Sequence, residues 1–442
     1  MIADLLDVVR RRVSGGGADA LWRREERTAI AFESGRLKSA GTTEEAGVNL
    51  RVVQGGRVGV AGTTAAEAAT GDLLDRALAS AALGESLTLT FPPPSPLPAI
   101  ATYFDTAANA SLDSLIDVGE ELVARLTRDG CQLNVAVERE VSETEIANTA
   151  GAAGRYRATG VAVGVDITRI AGDDVLMVYD QYVAADLPGA ADLDALVRSV
   201  ATRLDLALTV VGPPEGPLPV IFSPAGLSAV LLPLEQALSG KAVLQGVSPL
   251  GEKLGSRVFD ERFSLTDDPL AAGRAGSRPC DDEVVASRTL PLVEKGVVRA
   301  FVYDLETAAR AGTASTGHGR RGVFGKPRTA YSNLVVGTDG KRKMENGIPG
   351  GGLATGIQDG LIVEDLIGVG QGNVIGGSFS HPVALAYRVE RGAITGRVKD
   401  AAVAGNVYEL LKRVGGFGND GRWLGTRFAP SLLLEGVSVA RR

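Results

Sequence analysis

Histidine and cysteine are the scarcest chemistry-bearing residues of this chain, two of each in 442 residues. Zinc takes three or four ligands from His, Cys and carboxylate, and a helical zinc-protease site needs two His about one turn apart beside a Glu base. His318 and His381 lie 63 positions apart, and neither has a Glu in such a pattern, so no zincin motif can be drawn. Cys131 and Cys280 are each isolated, which leaves no disulfide framework and no C-x-x-C redox pair. Long apolar runs are missing too. No stretch approaches the ~18 to 20 residues of a membrane span, and the opening MIADLLDVVRRR sets acids among its apolar residues where a signal peptide needs an unbroken apolar segment. These absences predict a cytoplasmic protein with no membrane partner.

Positive charge is also short. The formal net charge of −7 gives no general attraction for nucleic acid or anionic lipid, both of which want clustered Lys and Arg. Basic residues gather locally at Arg320, Arg321, Lys326 and Arg328, and again at Lys341, Arg342 and Lys343. These runs sit among Gly, Thr and Ser, which predicts solvated loop faces.

What is present suits a soluble globular protein, with 45% hydrophobic and 22% charged residues. The length exceeds one ordinary core, so two domains are expected. Two proline clusters punctuate the chain, FPPPSPLP at 91–98 and GPPEGPLP at 212–219. The second is the better boundary because the patterns differ on its two sides, giving domains 1–211 and 212–442.

Before that boundary, Leu5, Leu6, Val8, Val9 and Val13 recur at helical spacing. Residues 18–63 read as a strand meander with turns at Ser34-Gly35 and Gly55-Gly56. Helices are expected at about 64–83, 111–128 and 190–209, and strands at 133–140, 161–167 and 175–179. After it, Leu218 to Phe222 is a short strand, and Ser223-Pro224 is a helix start of the N-cap plus proline type, with the helix ending at Ser239-Gly240. Strand-like segments follow at 297–303, 333–336, 361–367 and 384–389, then a helix at 407–414 and a last strand at 432–439. Interior glycines mark bulges and close backbone approach. The fold class expected is therefore α+β: an N-terminal α/β meander domain and a Gly-rich, curved antiparallel, barrel-like C-terminal sheet with helices.

Gly347 to Gly352 and Gly368 to Gly372 invite a phosphate-loop reading, but neither is followed by Gly-Lys-Ser/Thr or opens a helix after a buried parallel strand. Glycines that admit another backbone, within the sheet or from an extended peptide, explain them better. No Gly-x-Ser-x-Gly elbow occurs. Ser315-Thr316-Gly317-His318 and Ser380-His381 place a hydroxyl near an imidazole, and a nucleophile and base can also meet through space. A His bonded to backbone in a glycine-rich turn is the plainer reading of both.

Several segments, in order and spacing, resemble the TldD/PmbA family, and within it the PmbA (TldE) branch. They are Phe32-Glu33-Ser34-Gly35, Gly276-Ser277-Arg278-Pro279, Asp281-Asp282-Glu283, Leu292-Val293-Glu294-Lys295-Gly296, Ser315 to His318, Gly370-Gln371-Gly372, Gly377-Ser378-Phe379-Ser380, Glu390-Arg391-Gly392, Ala404-Gly405-Asn406 and Gly418-Asn419-Asp420. The resemblance covers almost the whole chain. It implies that TldD-type chains carry H-E-x-x-x-H on the first helix of the second domain plus a C-terminal Cys, which bind zinc. Such chains pair with a PmbA-type chain in a peptidase that trims unfolded or leader-type peptides. In this sequence the motif position reads Leu231-Leu232-Pro233-Leu234-Glu235-Gln236, with Leu231, Leu232 and Gln236 in place of His, Glu and His, and 421–428 holds no Cys. Glu235 alone cannot hold a metal. It is expected as a solvated or capping residue of a helix whose Leu231, Leu234 and Leu238 face the core.

The function expected is thus a non-catalytic subunit with no cofactor of its own, the zinc residing in a TldD-like partner. An extended peptide would be captured by strand addition. Ser315, Thr316, Gly317, His318, Gln371, Gly372, Ser378, Ser380 and His381 are the candidate peptide- or partner-contacting residues, with no catalytic residue assigned. Two alternatives stand beside it: a stand-alone hydrolase without metal that uses His318 or His381, and a homodimeric peptide-binding protein.

Overall fold

The computed structural model describes residues 2–64, 70–337 and 349–442. The expected Lys341–Lys343 loop, and Gly347 of the first glycine run, lie outside the described residues. No described helix is long and apolar enough to cross a membrane.

The first half forms a six-stranded antiparallel sheet that curls into a half-barrel. Its strands are β1 (Gly17–Glu33), β2 (Arg36–Gln54), β3 (Arg57–Thr63), β4 (Cys131–Asn148), β5 (Ala153–Ala171) and β6 (Asp174–Ala184), in the order β3-β2-β1-β4-β5-β6. Period-two alternation decides its faces. Val161, Val163, Val165 and Ile167 of β5 turn inward with Leu133, Val135 and Val137 of β4, against helices α3 (Leu112–Leu126) and α4 (Ala190–Ala207). Helix α3 starts where Ser111 accepts a hydrogen bond from the Ser114 amide at 3.1 Å, a side-chain cap for an otherwise orphaned donor. At the other end, α1 (Ile2–Arg12) and α2 (Thr70–Leu83) bury Leu5, Leu6, Val9 and Leu74 on Ala18, Ala20, Leu50 and Val52. The outer face stays open. There Val175, Met177 and Tyr179 of β6 stand exposed in a row, with Ile170 opposite Val175.

In the second half, β7 (Gly216–Phe222), β8 (Asp359–Leu366), β9 (Ser378–Glu390), β10 (Ala401–Asn406) and β11 (Leu432–Arg441) close a five-stranded barrel. Only the β7–β8 pair is parallel; the other four seams are antiparallel. A second six-stranded sheet lies beside it, and both share one core around Phe222, Phe263, Leu292, Val363 and Leu432.

Several elements depart from the sequence expectation. Helix α5 runs Ser228–Ala237 and begins well after Ser223-Pro224. Residues 223–227 make a tight turn instead, in which Ser223 Oγ accepts from the Gly226 amide at 3.2 Å. A Cβ on Gly226 would come within 2.3 Å of the Val363 carbonyl oxygen, so the turn is wedged against β8. The strand expected at 297–303 is only Val297–Val298, and the helix at 407–414 is only Val407–Leu410, since Val414 already pairs with β11.

The largest correction concerns charge. Arg321, expected on a solvated loop, is fully buried and bonds Asp19 of β1 at 2.9 Å. Arg51 of β2 joins the same cluster, 2.5 Å from Asp19 and 2.6 Å from Glu283, and Glu283 also accepts from the Leu305 amide at 2.7 Å. Buried charges persist where they are paired and hydrogen-bonded. Arg51, Arg321 and Asp19 do that here, with the Glu283 carboxyl hydrogen-bonded to Arg51 and to the Leu305 amide, and together they fasten the first sheet to the 281–321 segment.

Candidate functional site

Helix α5 is the stretch where a metal motif would fall, and its two sides differ. Val230, Leu231, Leu234, Ala237 and Leu238 are buried in the core, as expected for Leu231, Leu234 and Leu238. Ala229, Leu232 and Pro233, three or four residues apart, share the other side and line a cavity of about 450 Å³. Glu235 is neither solvated nor a cap. Its carboxylate takes a two-pronged hydrogen bond from Arg427 at 2.8 and 2.9 Å, while its backbone carbonyl accepts from the Tyr331 hydroxyl at 2.7 Å. Gln236 is exposed. Pro233 cannot donate a backbone hydrogen bond. The Tyr408 hydroxyl, 3.3 Å from the Pro233 carbonyl and 2.7 Å from that of Ile375, ties the helix to the glycine-rich side of the cavity.

The opposite wall is the loop from Ile367 to Gly372 and the first residues of β9. Gly370, at φ +97°, passes close to Leu232: a Cβ there would lie 3.4 Å from the leucine Cδ2. Such a φ is a conformation that L side chains rarely adopt. Five sequence candidates meet at this cavity, namely Gln371, Gly372, Ser378, Ser380 and His381, together with Phe379 and Arg442. The His381 ring stacks on Phe379 at 5.9 Å with planes 14° apart. Partial desolvation lowers its pKa from the ordinary value, against the opposing pull of a hydrogen bond to the Ile367 backbone. The ring is therefore neutral near pH 7.

The edge of β9 matters most for chemistry. Ser378 to Pro382 pairs on one side with β10, whereas β8 pairs with β9 only from Val383 onward. Among the described residues no strand covers the other side of 378–381. An open strand edge is a template for another backbone, and this one borders the cavity.

The remaining candidates lie elsewhere. Ser315, Thr316, Gly317 and His318 are not part of the cavity wall. His318 is buried, with Nε2 3.1 Å from Asp267 and Nδ1 at 2.9 and 3.0 Å from the Thr316 hydroxyl and carbonyl. Its ring meets Tyr331 edge-on at 6.3 Å, and Tyr331 in turn holds the end of α5. That group props the helix from behind. Phe379 and Arg442 were not foreseen as lining. The alternation Ser378-Phe379-Ser380-His381 could have flagged Phe379, because period two sets it on the same face as His381.

The donor set of α5 does not fit zinc. Leu231 and Leu232 offer only carbon, Gln236 offers a neutral amide, and among the described residues no cluster of three or more His, Cys, Asp or Glu is placed to hold an ion. No chemical step can therefore be routed through a metal on these residues.

Residues 215–441 match the model of the PmbA/TldA metallopeptidase C-terminal domain, and 18–82 match PmbA/TldA metallopeptidase domain 1. A metalloprotease of Methanothermobacter thermautotrophicus is 30% identical over 233 residues, 52% of this chain and 49% of that protein. A PmbA homologue described as a metalloprotease in Haemophilus influenzae is 26% identical over 223 residues, 50% of this chain and 46% of that protein. The chain thus matches about half the length of these curated relatives. The crystal structure of TldE from Thermococcus kodakarensis superposes with a TM-score of 0.88 over 99% of both chains at 23% identity, which shows a shared fold.

Proposed function

The chain belongs to the PmbA/TldD metallopeptidase family, and from that premise we propose that it is a non-catalytic subunit that pairs with a zinc-bearing TldD-like chain and holds an extended peptide along β9. One observation carries the reading. The cavity beside α5 keeps an open strand edge for a peptide backbone while the helix turns Leu232 and Pro233 into it. Backbone pairing at such an edge gives sequence-tolerant affinity, which suits unfolded or leader-type peptides. Leu232, Val369 and Phe379 offer apolar contact for alternate side chains, and neutral His381 with Ser378 and Ser380 offers hydrogen bonds.

A partner subunit is supported by the outer face of the first sheet, where Ile170, Val175, Met177 and Tyr179 are each more than half exposed. Rows of this kind on a soluble protein mark contact surfaces. The stand-alone hydrolase gains nothing from His318, whose ring nitrogens are engaged and enclosed.

The test is co-purification. Produced alone, the protein is expected to carry no stoichiometric zinc and to cleave no peptide; produced with a TldD-like chain, it is expected to form a stable complex with chelator-sensitive peptidase activity. Chelator-sensitive cleavage by the chain alone would overturn the proposal. A stable self-dimer that refuses such a partner would favour the homodimeric alternative.

A further inference from the structure

Away from the groove, a second polar centre lies where the first sheet meets the 278–321 segment. Arg278 is only 3% exposed, and its Nε and Nη2 have no acceptor among the described residues. These two nitrogens form one edge of the guanidinium, the fork that grips a carboxylate or phosphate through two parallel hydrogen bonds. Their neighbours are already committed. Asp281 accepts from the amides of Glu283, Val285 and Gly319 at 2.8 to 2.9 Å. Asp282 accepts from Arg23 and from the Arg321 amide, both at 2.9 Å, with Arg320 3.6 Å away. Ser287, whose amide bonds back to the Pro279 carbonyl at 3.0 Å, also has a buried hydroxyl without a partner among the described residues.

Arg23, Arg278 and Arg320 surround Asp282; Asp281 and Tyr156 also lie near Arg278, and Glu140 lies near Arg23 and Arg320. A buried guanidinium edge without an acceptor is costly. Arg320, its side chain 40% exposed, forms the outer side of the cluster beside Asp282 and Tyr156.

We propose that the Nε–Nη2 edge of Arg278, with Arg320 as its outer wall, is a binding site for a small oxyanion held in bidentate fashion. The shared chemistry is a carboxylate or a phosphate group. A peptide's carboxylate and a phosphate-bearing metabolite are the two sources. The site is independent of the groove at α5 and does not depend on the subunit reading.

The test uses the whole chain at constant ionic strength. Chloride is replaced stepwise by inorganic phosphate or by acetate while the thermal midpoint is followed. A saturable rise is expected for the wild type. Arg320→Gln, altered at the partly exposed outer side of the cluster, should need about tenfold more anion for the same rise, the loss of one charge-assisted hydrogen bond. Arg278→Gln should show no rise. Saturation at lower acetate than phosphate assigns a carboxylate ligand, and the reverse assigns a phosphate. A wild type without a saturable response overturns the proposal, as does an unchanged response in Arg320→Gln.

Discussion

At the scale of single residues, Val284 bears the clearest local strain. Its φ is +61°, and its side chain is buried against Leu21, Ile146 and Cys280. A β-branched residue in this region is a genuine outlier, and the left-handed conformation costs L-residues about 1–2 kcal/mol. The turn tolerates it because Asp281 Oδ1 holds the amides of Glu283 and Val285 on either side. Val284→Gly loses one buried methyl more than Val284→Ala, about 0.8 kcal/mol. Glycine alone escapes the strain, so Val284→Gly is expected to be no less stable than Val284→Ala, whereas glycine falls about 0.5–1 kcal/mol below alanine in regular elements. Urea unfolding of the two variants checks this, and a glycine variant about 1 kcal/mol or more below the alanine one would remove the strain argument. His381 gives a functional counterpart. Substituting it by Ala leaves the core untouched, so the melting temperature is expected to hold while peptide affinity falls about three- to tenfold, the worth of one hydrogen bond.

At the scale of elements, α5 shows why restoring a motif is not restoring a site. Leu231 points into the core and is 1% exposed, whereas Leu232 lines the cavity. Leu231→His is expected to cost about 2–5 kcal/mol, because it removes buried carbon and buries an imidazole without a partner. Leu232→Glu should cost under about 1.5 kcal/mol. Denaturant midpoints of the two single variants decide it, and equal losses would mean that the helix presents both positions alike. This asymmetry also marks what was legible in the sequence. The alternation of Val161 to Ile167 placed β5 and its inward face, and the glycine-rich tracts of the second half announced a curved sheet that proves to be a closed barrel. Gln371, Ser378, Ser380 and His381 were singled out from neighbouring motifs and do share a cavity. What stayed hidden depends on contacts distant in sequence. Arg321 looks like a loop residue until Asp19, 302 positions away, is seen beside it. Glu235 looks solvated until Arg427 arrives from the far end of the chain. Hydropathy reports a residue's cost of burial, not the partner that offsets it.

At the scale of the whole molecule, the buried cluster joining the first sheet to the 281–321 segment predicts how stability changes with pH. Burial would raise the Asp19 carboxyl, but Arg321 and Arg51 outweigh it and hold its pKa below the ordinary aspartate value. Asp180 is lowered likewise, by Arg422 and Arg203 against burial, and Asp260 is drawn down to about 2, chiefly by its hydrogen bonds with Arg262. For these groups the folded pKa lies under the unfolded one. Their stabilisation is complete above about pH 4 and is lost as pH falls. Glu283 behaves oppositely. Burial pushes it up to about 8, Arg51 opposes, and Asp281, Asp304 and Asp19 add to the rise. Asp281 itself is raised to about 6, again by burial first, with three backbone amides opposing. A carboxyl whose folded pKa exceeds its unfolded value of about 4.3 contributes most below that value, and its contribution disappears as pH climbs to the folded pKa. Asp281 completes its ionisation just above pH 6, so Glu283 dominates from about pH 7 to 8, and the slope can reach about 1.4 kcal/mol per pH unit. Glu283→Gln keeps the shape and the Arg51–Asp19 pair while removing the titration. Urea unfolding at pH 6, 7 and 8 should therefore show the wild type losing stability stepwise and the variant nearly level. Parallel losses in both would mean that Arg51 keeps Glu283 ionised throughout, and that the cluster is a plain pair of salt bridges.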